Sequence, residues 1–332
     1  MLNKSRTKSQ TIAPIGVLLG KRSLRRINWR SRSIVESFHF YIFIAPWLIG
    51  WVVLSIVPLV LGFVISLSNY NGFNWDTAKF VGAANYARAL GDQEVWASLE
   101  RIVSFSVANV LVGLFLPLLL AVLLNTNIKV KGIFRTIFYI PTLVPVVAGA
   151  FIMKIFLDKN FGLVNAGLSL ARPGTALPWL TDLAPLSLML FVQWLTAGSA
   201  MLIFFSGLQG ISKEVKEAAI MDGAGPWTTF WKITLPLLSP LVFFQLIIGV
   251  VTSLQIMVQP MVLLATQGTG QIGTPPTEST YMYLVYTFIQ IFGQGRFAYG
   301  TALLWIFFVV VLLITLALFR TSRYWVHYEV EQ

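Results

Sequence analysis

Cysteine is absent from the 332 residues, and histidine occurs only at His39 and His327. No disulfide, thiolate metal site or thiol nucleophile can form, and two imidazoles leave little for a zinc site or a histidine-based triad. Charge is scarce as well: 11% of residues are charged, against roughly 25% in a soluble domain. That scarcity excludes a conventional soluble enzyme, a disordered tail and a disulfide scaffold. What fills the chain is apolar, 56% of it, in long uncharged runs that point to a bilayer.

Six runs approach the roughly 20 apolar residues that a helix needs to cross: Phe40–Leu67, Ile102–Leu124, Ile137–Leu157, Leu186–Leu208, Leu241–Leu264 and Thr301–Phe319. A shorter stretch, Tyr281–Phe292, ends at Gly293-Gln294-Gly295 and reads as a surface or re-entrant helix. With the N-terminus inside, 17 of the 24 Lys and Arg fall in inside segments and six outside, with Lys154 near the outer end of the third run. This bias puts both termini in the cytoplasm, as an even number of spans requires. Lys154 reads as a lysine reaching the headgroups or as an entrance charge for an anionic substrate. Prolines 46, 58, 117, 141, 145 and 260 interrupt the runs, and each is expected to kink its helix.

Residues 1–37 form a basic tail, with nine Lys/Arg before Glu36. Such a tail suits nucleic acid, anionic lipid or a transit peptide. Next to a membrane span the simplest reading is a cytoplasmic flank, with no nucleic-acid partner. The segment is no secretory signal, since Pro14 interrupts its short apolar stretch. Gly16-Val-Leu-Leu-Gly20-Lys21-Arg22-Ser23 has three residues between its glycines and Arg22 after the lysine, so it fails as a phosphate loop.

The most informative segment is 211–240, the longest cytoplasmic connection. Ser212 is placed to cap a helix whose first turn carries Glu214. Gly223 can end that helix in the left-handed conformation, and Pro226 suits the start of a second one. There Trp227, Phe230 and Trp231 share one face, and Pro236 is expected to stop the helix. The residues alone leave two readings open: an amphipathic helix lying in the interface, or a docking element for another protein.

Glu217-Ala218-Ala219, Asp222-Gly223-Ala224, Phe230, Ile233, Leu235-Pro236 and Pro240 resemble the EAA loop of binding-protein-dependent ABC importer permeases. The ending Leu-Pro-Leu-Leu-Ser-Pro is similar to the carbohydrate-uptake branch, which includes maltose and glycerol-3-phosphate permeases. The resemblance covers residues 38–322, with the basic tail outside it and 323–332 as a C-terminal tail. It implies an all-α membrane protein of six helices whose loop between helices 4 and 5 is a coupling helix. Glu217 and Gly223 carry over as its key positions. It further implies a homologous second permease subunit, two cytoplasmic ATPases that bind ATP and Mg²⁺, an external solute-binding protein and a sugar substrate. No cofactor is expected in this chain, and the location implied is the bacterial plasma membrane.

The resemblance also implies a substrate cavity in the fourth and fifth spans. Gln193, Thr196 and Ser199 share one side of the fourth, with Trp194 as a stacking surface. Thr252, Gln255 and Gln259 share a helical face of the fifth, beside Ser253. Uncharged amides and hydroxyls suit sugar hydroxyls, so a neutral oligosaccharide is the default substrate, with glycerol-3-phosphate and acidic oligosaccharides left open. The same residues also serve as interhelical hydrogen-bond partners in membranes. Three other classes compete: an ion-coupled carrier, a membrane-embedded enzyme and a channel. No run carries Asp, Glu or His in its middle. That counts against a carrier that needs a buried ionisable group, although Na⁺ held by backbone carbonyls remains open. No acid–histidine cluster suggests a membrane enzyme.

Overall fold

A computed structural model describes residues 29–76, 78–126, 129–264 and 277–327. Most of the basic tail and the look-alike phosphate loop lie outside them. The described chain is helical, with a single antiparallel bridge between Ser68 and Phe80. It divides into two compact units, residues 1–58 and 59–332. Four helices are long and apolar enough to cross a membrane, or up to six if each of two bent pairs counts as one span.

The first unit carries α1 (Trp29–Trp51), which begins inside the segment read as tail, and a π turn over Val52–Ile56. There the Val57 N–H reaches back five residues to Val52 O. Pro58 follows directly. It lacks an N–H and its ring crowds the preceding turn, so widening the ladder by one residue is the local answer. The apolar helical run as a whole covers Ser37–Ser66, and its last part is α2 (Val57–Ser66).

The second unit contains α3 (Ala84–Gly91), α4 (Gln93–Leu124), α5 (Lys131–Tyr139), α6 (Val146–Phe156), α7 (Leu163–Ala171) and α8 (Ala184–Gly210). Then come α9 (Lys213–Met221), α10 (Pro226–Thr229), α11 (Leu235–Leu237), α12 (Ser239–Leu254), α13 (Val258–Leu263), α14 (Tyr283–Phe288) and α15 (Phe297–Ser322). α8 is the central helix. Of its most apolar window 56% is buried, against 28% for α4 and 17% for α15. One core cluster joins Ile102 and Phe105 of α4 to Leu188, Phe191 and Leu195 of α8. A second joins Ala121 and Leu124 to Met201, Phe204, Phe205 and Leu208, with Leu238 beneath. Val107, Leu111 and Phe115 lie exposed on α4, the surface expected of a helix facing lipid.

Two apolar runs that the sequence suggests as single kinked spans are broken outright. Ile137–Leu157 becomes α5, a 3-10 turn over Ile140–Leu143 and α6, with a bend of 107°. Pro141 lies in the first positions of that turn and Pro145 caps α6, and Val144 is extended between them (ψ 126°), as a residue before proline prefers. Leu241–Leu264 becomes α12 and α13 with a break at residues 255–257. Pro260 then sits in the first turn of α13, where its missing N–H does no harm. Pro236 does not stop its helix either. The helical run continues from Pro226 to Leu237 through a second π turn, where the Leu235 N–H bonds Phe230 O just before the proline. The 65° bend comes at Leu238 instead.

The short segment after residue 276 forms α14 and a π turn ending at Gly293, as the sequence suggests. It is anchored by Asp92, the N-cap of α4. One Asp92 oxygen accepts from the Glu94 amide (3.0 Å), the other from the Tyr286 and Tyr299 hydroxyls (2.6 and 2.7 Å). The Arg88 guanidinium covers the Tyr299 ring at 4.5 Å. Burial alone would raise the Asp92 pKa, but the two tyrosine hydroxyls and the Glu94 and Val95 amides together hold it below 3.8.

Gly198 of α8 lets the broken segment cross. A Cβ there would collide with Phe138 O and lie 2.9 Å from Tyr139 Cα. Gly198→Val should therefore destabilise the purified protein by about 1–3 kcal/mol through overpacking. The check is its thermal midpoint in detergent; an unshifted midpoint contradicts the close crossing. A second expectation concerns acid. Since folding lowers the Asp92 pKa, the stability this carboxylate contributes is present above 3.8 and lost as pH falls below it. Between about pH 6 and about pH 3 the wild-type midpoint should fall further than that of Asp92→Asn. Parallel profiles contradict the network.

Candidate functional site

Two places gather the residues singled out by the sequence. The first is a cavity of ≈ 360 Å³ between α4, α8 and α12, extending to Ile256 and Gln259. Gln193, Thr196 and Ser199 line it from α8, and Thr252 and Ser253 from α12. Two expected members are elsewhere. Trp194 packs beside Phe191 (ring centroids 6.4 Å apart) and against Gly149, where a Cβ would meet its ring at 3.3 Å, so it fills helix–helix space. Gln255 is the exposed C-cap of α12 and is not in the lining. The helical face expected to join residues 252, 255 and 259 does not exist, because the helix ends at Leu254.

Among the lining residues that the sequence reading missed are Asn109, Gly113 and Gln245. Asn109 carries the hydrogen-bond network. The Gln193 Nε2 group donates to Asn109 O (2.8 Å) and Asn109 Oδ1 (2.9 Å), and Asn109 Nδ2 donates to Ser253 Oγ (3.2 Å). Three helices are thereby joined through side chains 6%, 5% and 2% exposed for Asn109, Gln193 and Ser253. The signal for Asn109 was available: an amide in the middle of the uncharged run Ile102–Leu124.

The geometry also fixes which way the Gln193 amide points. A backbone carbonyl can only accept, so Nε2 faces Asn109, and Oε1 is left buried with no partner. A buried acceptor without a donor costs about 1–3 kcal/mol. The hydroxyls around it are committed differently. Thr196 donates to Val192 O (2.8 Å), Ser199 to Thr196 O (2.8 Å) and Thr252 to Ile248 O (2.7 Å). Each keeps only acceptor capacity. No charged residue lines the cavity, and no cluster of three or more His, Cys, Asp or Glu suited to a metal occurs among the described residues.

The second place is the elbow after α8. Ser212 caps α9, accepting from the Val215 amide at 3.4 Å. The helix ends with the Gly223 N–H bonded to Ile220 O (3.0 Å) and the Ala224 N–H to Ala219 O (2.9 Å). Gly223 has φ +78°, the left-handed value that glycine adopts without strain. Gly225 then caps α10, with Pro226 at its start. Glu217, Ala218, Asp222 and Gly223 are exposed, as are Ile220 (66%), Met221 (86%) and Trp227 (75%); Ala219 is buried. The Trp227 and Trp231 rings meet edge-on at 5.6 Å. The elbow thus presents the Glu217 and Asp222 carboxylates beside the exposed apolar groups Ile220, Met221 and Trp227.

Comparison with known proteins agrees with this architecture. The chain is 34% identical over 304 residues to the probable ABC transporter permease protein YesP of Bacillus subtilis, covering 90% of this chain and 96% of that protein. It is 27% identical to the lactose transport system permease protein LacF of Rhizobium radiobacter (88% and 98% covered). It is 30% identical to the trehalose/maltose transport system permease protein MalF of Thermococcus litoralis (86% and 93%). In fold it is similar to a chain of a bacterial ABC transporter that imports the acidic polysaccharide alginate, with TM-score 0.75 at 22% identity over 89% of this chain and 98% of that one. Residues 113–326 match the family described as binding-protein-dependent transport system inner membrane component; the chain belongs to that family.

Proposed function

We propose that this chain is a membrane-spanning permease subunit of an ATP-driven, binding-protein-dependent ABC importer that moves a sugar or oligosaccharide into the cell by alternating access. Residues 38–322 form its transmembrane domain of six spans, flanked by cytoplasmic tails at 1–37 and 323–332, in the bacterial plasma membrane. It works with a homologous second permease and a solute-binding protein outside. Two cytoplasmic ATPases bind ATP and Mg²⁺, so this chain catalyses no reaction and binds no nucleotide of its own. Relatives named as permeases for lactose and trehalose/maltose support the sugar class, as does an uncharged polar cavity beside α8.

The observation that carries the reading is the exposed elbow at residues 211–240. Ser212, Gly223 and Pro226 delimit two short helices, and the surface they hold out sets Ile220, Met221 and Trp227 beside the Glu217 and Asp222 carboxylates. Such a surface is suited to a groove on another protein, where a desolvated charge pair at Glu217 adds specificity. The residues proposed to couple to the ATPase are Glu217, Ala218, Ala219, Asp222, Gly223 and Ala224. Motion transmitted there biases a bistable pair of permease subunits between inward-open and outward-open forms.

In the intact complex, Glu217→Lys should abolish co-purification of the ATPase or lower ATP hydrolysis stimulated by the loaded binding protein at least tenfold. Undiminished coupling in that variant contradicts the docking role. An ion-coupled carrier makes the opposite prediction for the isolated subunit. In proteoliposomes without nucleotide, this chain alone should accumulate no sugar under an imposed Na⁺ or proton gradient, and uphill uptake there overturns the proposal.

A further inference from the structure

We infer that the α4–α8–α12 cavity, whose lining holds no charge and whose Thr196, Ser199 and Thr252 hydroxyls present only lone pairs, selects neutral hydroxyl-rich sugars over acidic ones, and that Asn109 is the positioning residue that sets this preference. The inference rests on the sugar-permease reading and narrows it to one substrate class.

The polarity of the lining carries the argument. Thr196, Ser199 and Thr252 all direct their O–H into carbonyls of their own helices. The Gln193 amide has both N–H groups held by Asn109, so its remaining atom, Oε1, can only accept. What these four side chains offer a ligand is therefore a set of oxygen lone pairs. A sugar hydroxyl donates to such oxygens. A carboxylate cannot, and no lysine, arginine or histidine in the lining would offset its charge, which is costly away from water. Donors are present too, on the Gln245 and Gln259 amides and on the Ser253 hydroxyl, which accepts from Asn109 Nδ2, but none of them is charged.

Asn109 decides the orientation of Gln193. Without its carbonyl groups the amide could turn over and present N–H to the cavity, reversing the preference. Gly113, one turn further along α4, leaves room for the contact to open. Gln193 Oε1 is shielded in this conformation, and a Cβ at Gly113 would lie 3.2 Å from Gln193 Nε2 and 3.5 Å from Oε1. A hydroxyl can reach Oε1 through a slight separation of α4 and α8 at that glycine, where no side chain blocks it.

The test uses the complete complex in proteoliposomes. Probes are neutral di- to tetrasaccharides of glucose, galactose and arabinose, and oligomers of matching length built from uronic acids. The reading is sugar imported per ATP hydrolysed. Wild type should import at least one neutral probe at least tenfold more efficiently than any uronate oligomer. Gln193→Leu and Asn109→Leu should each lower that efficiency at least tenfold. In Asn109→Leu the ratio of neutral to uronate import should fall as well, because the released Gln193 amide can present N–H to the cavity, whereas a purely structural role in packing would lower import of both probe classes alike. Gly113→Ala, which leaves both amides in place, should lower it several-fold. Import of uronate oligomers as efficient as that of neutral ones overturns the inference while leaving the permease reading intact, as do wild-type efficiencies in the Gln193 and Asn109 variants. ATP hydrolysis without import of any probe in wild type overturns the sugar reading and this inference together.

Discussion

The packing of α4 against α8 is the contact on which the rest depends. At membrane depth a polar group has no water to turn to, so every buried amide must find its partner in protein. The Asn109–Gln193–Ser253 chain meets that demand with three side chains from three helices, and leaves one oxygen of Gln193 unmatched. Above and below it the contact is apolar, through the two core clusters along the same helix pair. A polar junction inside an apolar seam fixes rotation of the helices as well as their distance. It places the cavity at a defined point along α8.

The prolines shape the elements around that seam. Two of the three π turns in the described residues are followed within two residues by a proline, Pro58 and Pro236. In each the residue before the proline bonds one position further back than an α-helix would. The remaining π turn, over Ile289–Gly293, has no such neighbour. Pro141 and Pro145 act more severely and turn the chain through 107°. The broken segment can then pass across α8 at Gly198, where a Cβ would collide with the Phe138 carbonyl. Apolar length alone therefore overstates how straight these segments are.

Much of this was legible in the sequence, for reasons that differ by element. The elbow at 211–240 was readable in detail because capping and left-handed glycine are local: Ser212, Gly223 and Pro226 behave as their own backbone chemistry dictates. The apolar runs were readable as runs, but their breaks depend on which proline wins against packing. Pro236 lost and Leu238 took the bend. The cavity was readable in part. Gln193, Thr196, Ser199, Thr252 and Ser253 converge on it, as does Gln259 from α13. Trp194 and Gln255 do not, because one is needed between helices and the other caps α12. Asn109 was visible as an amide in an uncharged run, but its partners were not, being 84 and 144 residues away, a distance that no periodicity reports.

The account stands or falls on whether the elbow faces the cytoplasm and is covered there by another protein. The absence of cysteine makes a direct measurement possible: Met221→Cys gives a single exposed thiol on the elbow, for labelling with a membrane-impermeant maleimide. The account predicts rapid labelling in inverted membrane vesicles stripped of their ATPase, protection when the ATPase is added back, and no labelling in right-side-out vesicles. Labelling from the outer face, or an equal rate with and without the ATPase, contradicts it.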